Sequence, residues 1–163
     1  SVGDAHFRDD VKALMDRYRI PPACLCFEIT ETGAIANKQS ACRFITEMRA
    51  TGASVAIDDF GNGKASFGYL RDLPVDYLKV DGALIRDVAS NSTGHAVLEA
   101  ISAIAKSLGI KTVAECVENE ATLECVRAAG FDYAQGAVFS MPTPWLLDDA
   151  LRDTDLSGAG PEF

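Results

Sequence analysis

No stretch of this sequence approaches the roughly 20 apolar residues of a membrane span, and its start lacks the pattern of a secretory leader. Both absences predict a cytoplasmic chain with no membrane segment. Basic charge is also short, with 15 Lys and Arg against 24 Asp and Glu, a formal net charge of −9. That balance argues against a DNA or RNA polymer, or an anionic membrane, held through a basic surface. A phosphate-bearing ligand would need help from a metal ion or backbone amides. C-x-x-C spacing is missing too. The five cysteines, Cys24, Cys26, Cys42, Cys116 and Cys125, indicate neither a disulfide framework nor a structural zinc site. They read as buried thiols, with Cys24 and Cys26 on one strand face as small core-filling residues. Internal repeats and low-complexity segments are absent.

What is present suffices for one domain: 163 residues, 48% of them hydrophobic. Phe7, Val11, Leu14, Met15 and Tyr18 form a helical stripe over residues 5–18 that Pro21-Pro22 prevents from continuing. Residues 25–30 read as a buried strand, and residues 36–51 as a helix stopped by Gly52. Val55-Ala56-Ile57 is a strand that runs into Asp58-Asp59 and a Phe-Gly-Asn-Gly loop, and Tyr77–Asp81 is the next strand. Residues 83–89 read as helix and Ser90–Gly94 as a polar loop. A helix with Val97, Leu98, Ile101, Ile104 and Leu108 on one stripe then runs to Gly109. Lys111–Val117 is predicted as a strand, residues 120–129 as a helix closed by Gly130, and Tyr133–Phe139 as a last strand containing Gln135. Pro144 opens a final helix through Leu151, and Ser157–Phe163 reads as an unstructured tail.

Strands alternating with helices predict an α/β fold of parallel βαβ units. Alternate residues of a strand share a face. Glu28 therefore falls with Cys24 and Cys26, opposite Leu25, Phe27 and Ile29. Asp58 opposes Val55 and Ile57, while Lys79 and Asp81 oppose Leu78 and Val80. The carboxyl ends of parallel strands are where ligand sites form, and the set predicted to meet there is Glu28, Asp58, Asp59, Lys79, Asp81, Glu115 and Gln135. Two readings of it stand. An Asp-Asp before glycine is a common solvated turn and a strand lysine a guard against edge pairing. Alternatively, several acids held together need cations, and hard oxygen donors suit Mg²⁺, Mn²⁺ or Ca²⁺ in phosphodiester hydrolysis.

Glu28-Ile29-Thr30-Glu31, Asp58-Asp59-Phe60-Gly61-Asn62-Gly63, Leu73–Asp81, Ala114-Glu115-Cys116-Val117-Glu118 and Gln135-Gly136 together resemble the ordered signatures of EAL domains. The resemblance implies a modified TIM barrel that uses Mg²⁺ or Mn²⁺ in a two-metal site to open cyclic di-GMP to linear pGpG. It implies a C-terminal part of such a domain over residues 1–156: a partial (β/α) barrel of about five parallel strands with flanking helices. It also implies Glu28, Asp58, Asp59 and Glu115 as metal ligands, Lys79 at the catalytic water, Glu115 as ligand or base, and Gln135 lining the substrate site. Glu31 matches the acid that supports the loop after Asp59; a helix N-terminal acid favoured by the dipole is the plainer reading. Asp81 is a possible structural partner of Lys79, and Glu118 a capping or surface acid.

The sequence departs from the pattern in several places. The Glu-Ala-Leu signature and the downstream asparagine ligand are absent. Cys116 stands where a glycine is usual, and Met141 where a basic residue often precedes the proline. The expectation is an activity of the complete domain, with this chain inactive alone, homo-oligomeric, and part of a parent with further signalling domains. The alternative is a noncatalytic EAL module for nucleotide binding, dimerisation or signalling. A receiver-type switch is excluded by order, because its acid pair follows the first strand and its lysine the last.

Overall fold

In a computed structural model, which describes residues 5–62, 67–86 and 88–141, five parallel strands lie side by side in sequence order. They are β1 (Cys26–Thr30), β2 (Ser54–Phe60), β3 (Tyr77–Val80), β4 (Lys111–Ala114) and β5 (Tyr133–Ala134). Helices α1 (Ala5–Tyr18), α2 (Glu31–Ala36), α3 (Lys38–Thr51), α4 (Gly82–Ile85), α5 (Ser92–Ser107) and α6 (Glu120–Ala128) accompany them. This is the α/β, partial TIM-type arrangement expected. The predicted helix at Pro144 and the tail from Ser157 lie outside the described residues.

One face of the sheet is sealed. Ile29, Val55, Ile57, Leu78 and Val80 pack with Phe44, Ile45 and Met48 of α3 and Leu98 and Ile101 of α5 into the core. Most of these helical residues recur at spacings of three and four, which lines them up on one side of each helix. Short polar residues start the helices. Thr30, Asn37, Asn91 and Asn119 each accept a backbone N–H of the first turn, a contribution of about 1 kcal/mol per cap.

The opposite face is open, and this corrects the expectation of buried thiols. Cys24, Cys26 and Cys116 are exposed and Cys42 and Cys125 half-buried, all as free thiols. Parity does set Cys26 opposite Phe27 and Ile29, but that side borders a groove of about 440 Å³ rather than a second layer. The α1 stripe is likewise only partly covered: Met15 is buried while Phe7, Leu14 and Tyr18 are exposed.

Local differences have local causes. Residues 31–36 form α2, a separate helix foreshadowed only by the reading of Glu31 as a helix N-terminal acid, because the Thr30 hydroxyl accepts Gly33 N and starts a helix at once. Asn91 caps α5 where a loop through Gly94 was expected, and in place of the predicted helix over 83–89 the described residues form α4 and a 3₁₀ turn at Val88–Ser90. The predicted last two strands are shorter, which leaves Glu115 and Gln135 just beyond strand ends. At Gly136 the chain crosses the backbone of Val117 so closely that an added Cβ would lie 2.3 Å from Val117 O. Ladder pairing ends at Ala134, and residues 137–139 form a turn in which Val138 N donates to Val117 O at 3.0 Å.

Candidate metal centre and active site

The carboxyl ends of the strands meet at one lysine. Leu78 and Val80 are wholly buried, and alternation directs Lys79 between them to the open face. Its ammonium lies 2.9 Å from Glu28 Oε1, Asp58 Oδ1 and Glu115 Oε1. Glu28 comes from β1, Asp58 from β2 and Glu115 from the residue after β4. The Lys79 side chain is 10% exposed and that of Glu28 is 46% exposed, so the cluster reaches from the sheet to solvent.

These contacts set the charge states. Burial lowers the Lys79 pKa, but hydrogen bonds to Glu115, Glu28 and Asp58 outweigh it and hold the ammonium above its usual range. Burial pushes the Glu115 carboxyl up. Lys79 pulls it down, while the Asp58 and Glu28 charges push it up again, and the outcome is a raised pKa. Gln135 Nε2 donates to Glu115 Oε1 at 2.8 Å, fixing that carboxylate from the strand beyond.

Asp59 joins the site through a bulge. Between the pairs Ile57↔Leu78 and Phe60↔Val80, β2 has two residues where β3 has one. Asp59 adopts φ 58°, a left-handed conformation that side chains other than glycine adopt at a cost. Strict alternation would send neighbouring aspartates to opposite faces. Here Asp58, Asp59 and Glu115 each present an oxygen, and all three atoms lie within 4.8 Å of one another.

Other acids have other tasks. Asp81, expected as a partner of Lys79, is not one of the three acids paired with it; its Oδ1 accepts Ala83 N at 2.7 Å to cap α4, and its Oδ2 accepts Asn62 Nδ2 at 3.3 Å. Glu118 is exposed, and Asn119 is the cap of α6. Glu31 is the first residue of α2 and 3% exposed. It accepts Gly61 N at 3.3 Å and the Tyr69 hydroxyl at 3.1 Å. The sequence reading did not single out Tyr69. Nothing local marks it, because its partner is 38 residues away. Cys116, where glycine was expected, has φ 56° and packs against Gly82, whose added Cβ would lie 2.7 Å from the Cys116 Cβ.

The fold thus defines a (β/α)-barrel type of protein with an acid and lysine cluster at the carboxyl ends of its strands. The EAL domain family model matches residues 1–142, and the chain belongs to that family. It is 44% identical over 127 residues to the cyclic di-GMP phosphodiesterase PdeB of Shewanella oneidensis, covering 78% of this chain and 15% of PdeB. The solved PaMucR phosphodiesterase in complex with c-di-GMP superposes with a TM-score of 0.81 at 33% identity, over 88% of this chain and 58% of that one. The manganese/cy-diGMP complex of Klebsiella pneumoniae BlrP1 superposes with a TM-score of 0.76 at 32% identity, over 82% of this chain and 35% of that one. The chain therefore spans a minor part of the curated relative and little more than half of the PaMucR chain. No helix among the described residues is long and apolar enough to cross a membrane.

Proposed function

We propose that this chain forms the C-terminal part, over residues 1–156, of a metal-dependent phosphodiesterase domain that hydrolyses cyclic di-GMP to linear pGpG. The observation that carries the reading is the meeting of Asp58, Asp59 and Glu115 oxygens within 4.8 Å, beside Lys79, in a chain akin to named cyclic di-GMP phosphodiesterases. The donor set fits a divalent cation. Its atoms are hard carboxylate oxygens, and its negative charge exceeds what one ammonium neutralises. Asp58, Asp59 and Glu115, with Glu28 alongside, would hold Mg²⁺ or Mn²⁺, which when bound supplies Lewis-acid polarisation of the phosphoryl group and acidifies water.

The protein's own groups supply the rest. Lys79 holds three carboxylates in place and presents positive charge where an attacking water and phosphoryl oxygens develop negative charge. Glu115, its pKa raised by burial, suits a proton acceptor from water, with Gln135 orienting it and lining the groove for the dinucleotide. Attack by water on one phosphorus breaks the bond from that phosphorus to a 3′ sugar oxygen; the proton water gives up to Glu115 balances the one the departing oxygen takes from solvent. A cytoplasmic placement and a parent with further signalling domains accompany this reading.

We also infer self-association of the isolated chain. Among the described residues β1 pairs only with β2 and β5 only with β4, leaving two sheet edges beside an open groove. Light scattering tests that inference. Chromatography of cyclic di-GMP incubated with Mn²⁺ tests the function, with pGpG expected from the complete parent domain and none from this chain alone. A complete domain that binds the dinucleotide without turnover would instead favour a noncatalytic module.

A further inference from the structure

The end of β2 and the start of the loop that follows, Phe60 and Gly61, are gripped from two sides by residues outside the acid cluster. On one side Glu31, buried at the start of α2, accepts the Gly61 amide. A Cβ on Gly61 would sit 2.3 Å from Leu84 Cδ1, so the backbone at Gly61 lies close against α4. On the other side a 3₁₀ helix, Phe67–Asp72, carries two anchors. The Phe67 ring packs on Phe60 with centroids 5.3 Å apart, and Leu70 is 1% exposed. Tyr69 projects from the same short helix and donates its hydroxyl to Glu31 Oε1 at 3.1 Å.

We propose that Tyr69 is a positioning residue for the acid pair: its hydroxyl aligns the buried Glu31 carboxylate, which holds Gly61 and thereby the left-handed turn at Asp59 that faces Asp58 and Glu115. A buried carboxylate with one acceptor unpaired would rotate toward other donors or draw in water. The tyrosine supplies the second donor and leaves the other oxygen for Gly61. Burial and then the neighbouring Glu31 charge raise the Tyr69 pKa, so the phenol keeps the proton it donates. The role in cation binding rests on the proposed phosphodiesterase reading; the tether itself does not.

Two measurements on the full chain separate these layers. Backbone amide exchange at Gly61, compared between wild type and Tyr69→Phe, reads the tether without any metal, with Tyr18→Phe on the exposed end of α1 as background. Exchange on the order of tenfold faster in Tyr69→Phe is expected, and an unchanged rate overturns the proposal. Because the two residues act in series, Glu31→Gln with Tyr69→Phe should exchange no faster than Glu31→Gln alone. Additive effects would overturn it too, and Glu31→Gln alone remains informative if Tyr69→Phe fails to fold. Mn²⁺ titration by electron paramagnetic resonance should then show affinity weakened about tenfold in Tyr69→Phe, in keeping with groups that support metal ligands. Unchanged affinity beside faster Gly61 exchange rejects the link to the acid pair. A wild-type chain that binds no Mn²⁺ while Tyr69→Phe still frees Gly61 sinks the metal reading and leaves the tether standing.

Discussion

Aspartates sit at both ends of this sheet, and they are used in opposite ways. At the amino end, the residue before β3 and the residue before β5 are both aspartates that reach to the second residue of the preceding strand. Asp76 Oδ2 accepts Val55 N at 2.9 Å, and its Oδ1 pairs with Arg49 at 3.0 Å. Asp132 Oδ2 accepts both Thr112 N at 2.8 Å and the Thr112 hydroxyl at 3.0 Å. These acids are matched by donors from the scaffold itself. At the carboxyl end, Glu28, Asp58 and Glu115 share one ammonium, with Asp59 brought beside two of them. Negative charge there exceeds the local supply of positive charge. The lesson is that an acid at a strand end marks a site only when its oxygens are not already satisfied by the neighbouring strand.

The comparison breaks most sharply at Lys79. Lys79→Met removes the single cation shared by three carboxylates, and we expect a loss of about 3 kcal/mol, the lower end for buried ion pairs deprived of one partner because Glu28 is half-exposed. Urea melts with and without Mn²⁺ provide the check. Because a divalent ion replaces the missing charge, Mn²⁺ should restore more stability to this variant than it adds to wild type. Equal gains would mean that the carboxylates are not a shared cation site.

Asp58→Ala sharpens the contrast from the other side. It deletes a carboxylate common to the lysine contact and the acid triad. Mn²⁺ affinity should fall roughly a hundredfold, about 2.7 kcal/mol, and the complete domain should lose most of its turnover. Stability without metal should change little, since relieved repulsion offsets one lost contact with Lys79. Normal Mn²⁺ binding by calorimetry would remove Asp58 from the site.

Much of the frame is legible in the sequence because it obeys simple periods. Helix α1 runs over the predicted residues, Ala5–Tyr18, and α3 ends at Gly52. Alternation in β1 and β3 places Glu28 and Lys79 on one face, since both lie in unbroken strands. What escapes is whatever breaks a period. The bulge that turns Asp59 toward Asp58 violates alternation, and the single cap that starts α2 follows a strand without an intervening loop. Exposure of the thiols depends on which face lacks a covering layer, which parity does not specify. The link from Tyr69 to Glu31, and the pairing of Asp76 and Asp132 with neighbouring strands, require the fold before they are visible.

At the amino end the same operation should have a purely structural result. Asp132→Ala leaves the Thr112 amide and hydroxyl without their acceptor in a half-buried setting, which we expect to cost about 1–3 kcal/mol. Mn²⁺ affinity should stay at the wild-type value. Paired thermal melts and Mn²⁺ titrations read both quantities, and weakened Mn²⁺ binding would show that the two ends are not independent.

The smallest expected effect is a dependence on pH that belongs to the carboxyl end alone. Glu115 has a raised pKa, with burial the leading cause, so the folded chain holds its proton more tightly than the unfolded chain does. Its contribution is therefore fully present below the ordinary glutamate pKa and is lost as pH rises through the raised folded value. Lys79 is also raised, but its contribution persists below about 10.4, the ordinary lysine value, and does not change between acid and neutral pH. Across about pH 4 to about pH 7, the stability of wild type in chelator should thus decline relative to Glu115→Gln, which has no proton to lose. Saturating Mn²⁺ should reverse the slope, because the ionised carboxylate is the form that binds a cation. Denaturant midpoints at a series of pH values distinguish the signs. A wild-type advantage that grows with pH in chelator would mean that the attraction of Lys79 outweighs burial and repulsion at Glu115, and the carboxyl end would then be as self-sufficient in charge as the amino end.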